Sequence, residues 1–225
     1  MLLEQERKDV VKYCQRMSVS GLTTGTGGNI SIFNRESGLF AISPSGVFYD
    51  EMTPEDVVVM DLDLKVAAGI LKPSSEYALH GIFYQKRNDI NAVVHTHSTF
   101  ATVLATLREP LPASSYLIAV AGKDVPCAEY ASFGTPELAQ KTFEAMIDRK
   151  ATLMANHGMI AGGNDIMNAF NIAEQIEECC KVYILARSAG EPKLLSDAEM
   201  ETMVDRFANG YGQKKSKAWI LNLGY

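Results

Sequence analysis

Residues 30–33, 39–42 and 57–60 are short β-prone runs separated by the turn-rich stretches Asn34-Arg-Glu-Ser-Gly38 and Ser43-Pro-Ser-Gly46. Turns built from Gly, Pro, Asn and Ser reverse the chain and lay each run beside the one before it. Antiparallel neighbours are therefore expected here, rather than β-α-β crossovers. Helical periodicity surrounds this stretch. Residues 4–20 carry Val10, Val11, Cys14, Met17 and Val19 at roughly helical spacing, and Gly21 supplies a stop.

Further along, helices are expected from about residue 75, over 97–107, and over 136–147 behind Thr135 and Pro136. A long one is expected over 165–188, with Ile166, Phe170, Ala173, Ile176, Cys180 and Tyr183 on one stripe, and a last one over 196–207 behind a Ser-Asp-Ala-Glu capping box. Strands are expected over 92–96, 116–121, 125–127, 152–155 and 159–161. The alternation belongs to the mixed α/β folds.

With 225 residues, 47% of them hydrophobic, and no linker-like stretch in the middle, the chain reads as one domain with one core. Its 27 acidic against 21 basic side chains give a formal charge of −6, which argues against a general polyanion binder such as a nucleic-acid protein. The one basic cluster, Lys214, Lys215 and Lys217, reads as a solvated terminal segment. Charge follows Met1-Leu2-Leu3 at once and apolar runs reach only about five residues, so neither a signal peptide nor a membrane span is expected. Cys14, Cys127, Cys179 and Cys180 suggest neither a disulfide framework nor a C-x-x-C motif, and a reducing cytoplasm is the expected compartment.

The chain has four histidines, and three are spaced as a metal site needs. His95 and His97 flank one residue at the end of an apolar strand, so the period of two puts both rings on one sheet face. His157 lies between two further expected strands. Three imidazoles with an open fourth position suit a catalytic zinc ion acting as Lewis acid. The same residues also fit a strand-end pair bonded to backbone plus a turn histidine. The fourth, His80, stands one helical turn beyond Glu76, close enough to touch such a site, and reads as a packed helix residue outside the metal shell.

Three turns could cradle an anion. Thr24-Gly-Thr-Gly-Gly-Asn29 offers glycines that permit positive φ, Ser43-Pro-Ser-Gly46 is a second turn, and Lys72-Pro-Ser-Ser-Glu76 places two serines at an expected helix start. Each alone is equally ordinary turn or capping chemistry.

Together the segments Gly25-Thr-Gly-Gly-Asn-Ile-Ser31, Ile42-Ser-Pro-Ser-Gly46, Lys72-Pro-Ser-Ser-Glu76, Ala92-Val-Val-His-Thr-His97, Tyr130-Ala-Ser-Phe-Gly-Thr135 and Asn156-His-Gly158 resemble the class II aldolase/adducin family in order and spacing. The resemblance covers residues 1–212 and leaves 213–225 as a C-terminal tail extension, whose Trp219, Ile220, Leu221 and Leu223 have no assigned role. It implies a three-layer α/β/α sandwich around a largely antiparallel central sheet, assembled as a homotetramer with sites at subunit interfaces. It also implies a zinc enzyme, or one using another divalent metal, that reversibly cleaves a ketose 1-phosphate to dihydroxyacetone phosphate and a short aldehyde. L-fuculose 1-phosphate or a related deoxy-ketose 1-phosphate would be the substrate, and L-lactaldehyde one such aldehyde.

Carried over by position, His95, His97, His157 and Glu76 are the metal ligands, and Glu76 is also the proton-transferring base. Gly28, Asn29, Ser45, Gly46, Ser74 and Ser75 match the substrate and phosphate loops. Tyr116 matches a tyrosine that donates a proton from a neighbouring subunit, Phe133 a side of the aldehyde pocket, and Tyr211 a tail tyrosine near the site. The chemistry agrees with these residue types. Breaking a carbon–carbon bond beside a carbonyl leaves an enediolate whose charge needs stabilising, and no lysine in the motifs is placed for a Schiff base. Within the family, a 4-epimerase typically has aspartate where Glu76 stands, whereas a dehydratase shares the glutamate. A non-catalytic adducin-like module is the reading from a different class.

Overall fold

The N-terminal runs form an antiparallel meander in the computed structural model, which describes residues 1–209: β1 (Asn29–Asn34), β2 (Leu39–Ile42) and β3 (Val58–Asp61). The β1–β2 turn closes where Gly38, at φ 70°, donates its N–H to the Asn34 carbonyl at 3.0 Å. A short β4 (Val66–Ala68) extends the edge. Its single apolar-to-small run of three residues was too short to register in the sequence.

The other strands are β5 (Ala92–Thr96), β6 (Cys127–Ala128), β7 (Ala151–Met154) and β8 (Gly158–Gly163). They complete an eight-stranded sheet in the order β4-β3-β2-β1-β5-β8-β7-β6, in which only β6 and β7 run parallel. The helices are α1 (Glu4–Val19), α2 (Tyr77–Lys86), α3 (Thr99–Leu107), α4 (Pro136–Ala145), α5 (Ile166–Ala189) and α6 (Asp197–Asn209). Caps set several of their ends. Thr135 accepts from the Leu138 N–H, Asp165 from Asn168, and Ser196 from Glu199.

Alternation along the strands sorts side chains to two cores. Ile30, Ala41, Ala92 and Val94 face α1, α3, α5 and α6, whereas Phe33, Phe40, Ile42 and Val93 face α2 and α4. The result is the expected three-layer α/β/α sandwich. Among the described residues no helix is long and apolar enough to cross a membrane.

Two expected strands need correction. Residues 116–121 form a 3-10 helix, Tyr116–Val120, because Ser115 caps it by accepting the Leu117 N–H, and Ile118 and Ala119 bury one side of that turn. A short apolar run fits helix or strand, and here the cap decides. Of 125–127, only Cys127 enters the sheet, whereas Val125 makes an isolated bridge to Leu111. Helix starts also moved inward. α3 begins at Thr99 rather than residue 97, with the Glu177 carboxylate accepting the Phe100 and Ala101 N–H groups. α2 begins after Glu76.

The central strands converge on one sheet end. Asn29 opens β1 opposite His95, and Thr96 at the end of β5 faces Met159. The α2 start and the β7–β8 turn come to the same end, so residues far apart in sequence meet there. Phe170 on α5 anchors the larger core with its ring 5.2 Å from that of Tyr13. Phe170→Ala is expected to cost about 3–5 kcal/mol of unfolding free energy, read from urea titration.

Candidate metal centre and active site

His95 ends the central strand fully buried, and its ring orientation is fixed from behind. Its Nδ1 lies 2.9 Å from the Met159 carbonyl, an acceptor only, so Nδ1 carries a proton and Nε2 turns toward the open end of the sheet. His97 follows just past the strand, its Nε2 3.0 Å from that of His95. His157 projects from the β7–β8 turn, where Asn156 adopts φ 56° and its side-chain oxygen accepts from Arg108 Nε at 3.0 Å. The ligand atoms of the three rings all lie within 4.8 Å of one another.

Close backbone approaches make this convergence possible. A Cβ at Gly27 would stand 2.8 Å from His97 Nδ1, and one at Gly158 would stand 2.3 Å from the Thr96 carbonyl oxygen. Gly28 has φ 73° and a virtual Cβ 2.6 Å from the His95 carbonyl oxygen. Only glycine fits at that position.

Glu76, at the N-cap of α2, lies beneath the histidines with 6% of its surface exposed. Its Oε2 is 3.2 Å from His95 Nε2 and accepts from Asn29 Nδ2 at 2.9 Å. Its Oε1 is 3.4 Å from His157 Nε2 and has no hydrogen-bond partner among the described residues. Burial alone would raise this carboxyl's pKa. The His95 charge and hydrogen bond, helped by His157 and Asn29, outweigh burial and hold it well below the usual carboxylate range. Burial likewise depresses His97 and His157, and the neighbouring His95 charge adds to it, taking each to about 4. His95 shows the opposite balance: burial opposes its charge, but Glu76 and the Met159 carbonyl prevail and raise it.

A cavity of about 420 Å³ opens above these groups. Gly28, Asn29, Ser45, Gly46, Ser74 and Ser75 line it together with Glu76, His97 and His157. Two backbone bonds join its serine loops, Ser45 N–H to the Lys72 carbonyl and Ser74 N–H to the Ser43 carbonyl, each 3.0 Å. Tyr130, Ala131 and Phe133 add apolar surface to the lining. The donor set fits a divalent cation, with three imidazole nitrogens grouped beside a buried carboxylate, one of whose oxygens lacks a hydrogen-bond partner among the described residues.

The Class II Aldolase and Adducin N-terminal domain matches residues 8–184. The chain belongs to this family. It is an enzyme, a class II, metal-dependent aldolase that acts as a carbon–carbon lyase. It is 58% identical over 214 residues, 95% of this chain and 100% of the relative, to a 5-deoxy-D-ribulose 1-phosphate aldolase of Bacillus thuringiensis serovar kurstaki. A 5-methylthioribulose-1-phosphate/5-deoxyribulose-1-phosphate aldolase of Rhodospirillum rubrum is 39% identical over 202 residues, 89% of this chain and 90% of that one. A solved L-fuculose 1-phosphate aldolase superposes with a TM-score of 0.89 at 52% identity, covering 91% of this chain and 96% of that chain.

Not every expected residue meets in this cavity. Tyr116 does not line it. Its half-exposed ring stacks on Phe207 at 6.5 Å on the opening turn of the 3-10 helix. Tyr211, the 212/213 boundary and the tail residues lie outside the described residues. Two contributors escaped the sequence reading. Tyr49 pins the glycine turn, its hydroxyl 2.8 and 2.7 Å from the Gly27 and Gly28 carbonyls, and Arg108 holds Asn156. Neither belongs to a motif or a periodic stretch. His80 stays outside the metal cluster, as expected, and bonds Asn29 instead.

Metal binding at this cluster competes with protons. His95 is raised above 6.5 and its Nε2 must lose a proton to ligate, whereas His97 and His157 are already neutral at pH 7. Adding a divalent cation to metal-free protein at slightly acid pH should release about one proton, and affinity should fall as pH drops through the raised His95 value. Calorimetry in buffers of different ionisation enthalpy reads both.

Proposed function

We propose that this protein cleaves a deoxy-ketose 1-phosphate reversibly, with 5-deoxyribulose 1-phosphate as the primary substrate and dihydroxyacetone phosphate plus acetaldehyde as products. The observation that carries the reading is the cavity itself. Small polar residues and glycines line it together with Tyr130 and Phe133, and the buried carboxylate and imidazoles share the same lining. The small polar residues suit a phosphate and the aromatic ones a short apolar aldehyde. The 58% identity to an aldolase named for this sugar supports it. L-fuculose 1-phosphate, whose aldehyde product is L-lactaldehyde, is the second candidate, favoured by the 52% identity to the solved structure named for that activity.

In this reading His95, His97, His157 and Glu76 would hold the ion. Zinc is the expected metal, and any bound divalent cation supplies Lewis-acid stabilisation of negative charge on the substrate's oxygens. Asn29, Ser45, Ser74 and Ser75, with the Gly28 and Gly46 backbone, hold the phosphate, which explains anion binding by an acidic chain. Glu76 moves the proton on the dihydroxyacetone phosphate carbon and is kept ionised for that work by its imidazole neighbours. Tyr116 of an adjoining subunit serves the aldehyde oxygen in a cytoplasmic homotetramer. Its place away from the cavity of its own chain agrees with service to a neighbour's.

Metal-loaded protein should release dihydroxyacetone phosphate from the 5-deoxy sugar, and a chelator should stop it. Sugar loss without release would turn the assignment to the epimerase or dehydratase chemistry of the family. Glu76→Gln should lower exchange of the dihydroxyacetone phosphate carbon proton by at least about a hundredfold. Tyr116→Phe should spare that exchange and slow the aldol step. Mixed assemblies of the two variants should recover aldol activity if each site draws on two subunits, and sedimentation should give the tetramer's mass.

A further inference from the structure

Beneath the cavity a file of buried polar side chains penetrates the layer between the sheet and α2. Asn29 Oδ1 lies 2.5 Å from His80 Nε2, His80 Nδ1 lies 2.6 Å from Ser31 Oγ, and Ser31 Oγ lies 2.5 Å from the Tyr84 hydroxyl. Ser31 and His80 are fully buried, and Tyr84 stacks on Phe33 at 4.9 Å with Phe40 at 5.4 Å. Polar groups in such a layer cost stability unless each is satisfied, and each member of this file has a partner within it.

The bonding sense of the whole file follows from its upper end. The ionised Glu76 carboxylate can only accept, so Asn29 must turn its NH₂ to Oε2 and its Oδ1 to His80. His80 Nε2 must then donate. His80 is fully buried and neither ring nitrogen meets a carboxylate, so the ring is neutral and Nδ1 accepts from the Ser31 hydroxyl. Ser31 in turn accepts from Tyr84. Every donor points toward Glu76, and an amide does not readily pass a proton along, so the file conveys orientation and not protons.

We propose that His80 is a positioning residue which, through Asn29, fixes the Glu76 carboxylate in the orientation from which it moves the carbon-bound proton. The proposal rests on the assignment of Glu76 as that base. Without His80 the Asn29 amide is free to rotate and present its oxygen to the carboxylate, which repels it and loosens the base over its reacting carbon.

The test follows deuterium exchange into dihydroxyacetone phosphate by metal-loaded full-length protein. His80→Leu should slow exchange about 10- to 100-fold at unchanged metal content. His80→Gln, whose amide can donate to Asn29 and accept from Ser31, should recover most of that loss. In an Asn29→Ala background, His80→Leu should alter exchange by less than about twofold, because the route is already cut. Additive losses, or full exchange in His80→Leu, would overturn the proposal. Should His80→Leu not fold, Ser31→Ala cuts the file at the next link and enters the same comparison. Nitrogen NMR of the wild-type His80 ring supplies a readout that needs no turnover. A neutral ring protonated on Nε2 is expected, and a proton on Nδ1 or a charged ring would refute the bonding sense. If wild-type protein exchanges no proton and releases no product, the proposed function fails and the positioning role falls with it, whereas exchange by the wild type that His80→Leu leaves intact overturns the positioning role alone.

Discussion

A carboxylate buried beneath three imidazoles is the interaction around which the rest of this structure is arranged. Glu76 is almost wholly removed from water, and a buried charge is tolerated only where compensating charge and hydrogen bonds surround it. Here His95 supplies the charge and Asn29 the hydrogen bond. Each supplier is itself held. The Met159 carbonyl fixes the His95 ring, Asn29 opens a strand paired to His95, and the N-cap position of α2 fixes the backbone of Glu76. The sheet order matters because it alone brings β1, β5 and β8 side by side at the end where these residues stand.

The same arrangement divides labour between rigid and adaptable parts. Residues that set proton affinity sit on the central strands and the first turn of a helix. Groups that contact substrate lie on turns joined to one another by backbone bonds, such as those linking Ser45 to Lys72 and Ser74 to Ser43. Tyr130 and Phe133 are half-exposed or more, so packing within the chain does not fix these two aromatic rings of the cavity.

Much of this was legible in the residues. The glycine turns and alternating runs announced the antiparallel meander, and the His-x-His pair at the end of Ala92-Val-Val announced the core of the site, because both patterns are local. The Tyr116 stretch misled because its helix is set by a single serine cap rather than by periodicity. β4 passed unseen because three residues carry no period. The file from Tyr84 through Ser31 and His80 to Asn29 was invisible for another reason. It is a pairing across elements, and Ser31 and Tyr84 each look like ordinary strand and helix residues until β1 and α2 bring their hydroxyls together.

The separation of the histidines along the chain has a mechanical meaning too. His95 and His97 belong to the middle of the sheet, His157 to a turn reached only after α3, α4 and two further strands, and Glu76 to a helix on the opposite layer. An ion held by these residues would tie together segments that otherwise meet only through packing. It would act as a reversible cross-link closing a loop of about sixty residues, restricting the unfolded chain far more than a local clip does. Catalytic competence and resistance to unfolding would then rise and fall with the same free metal concentration.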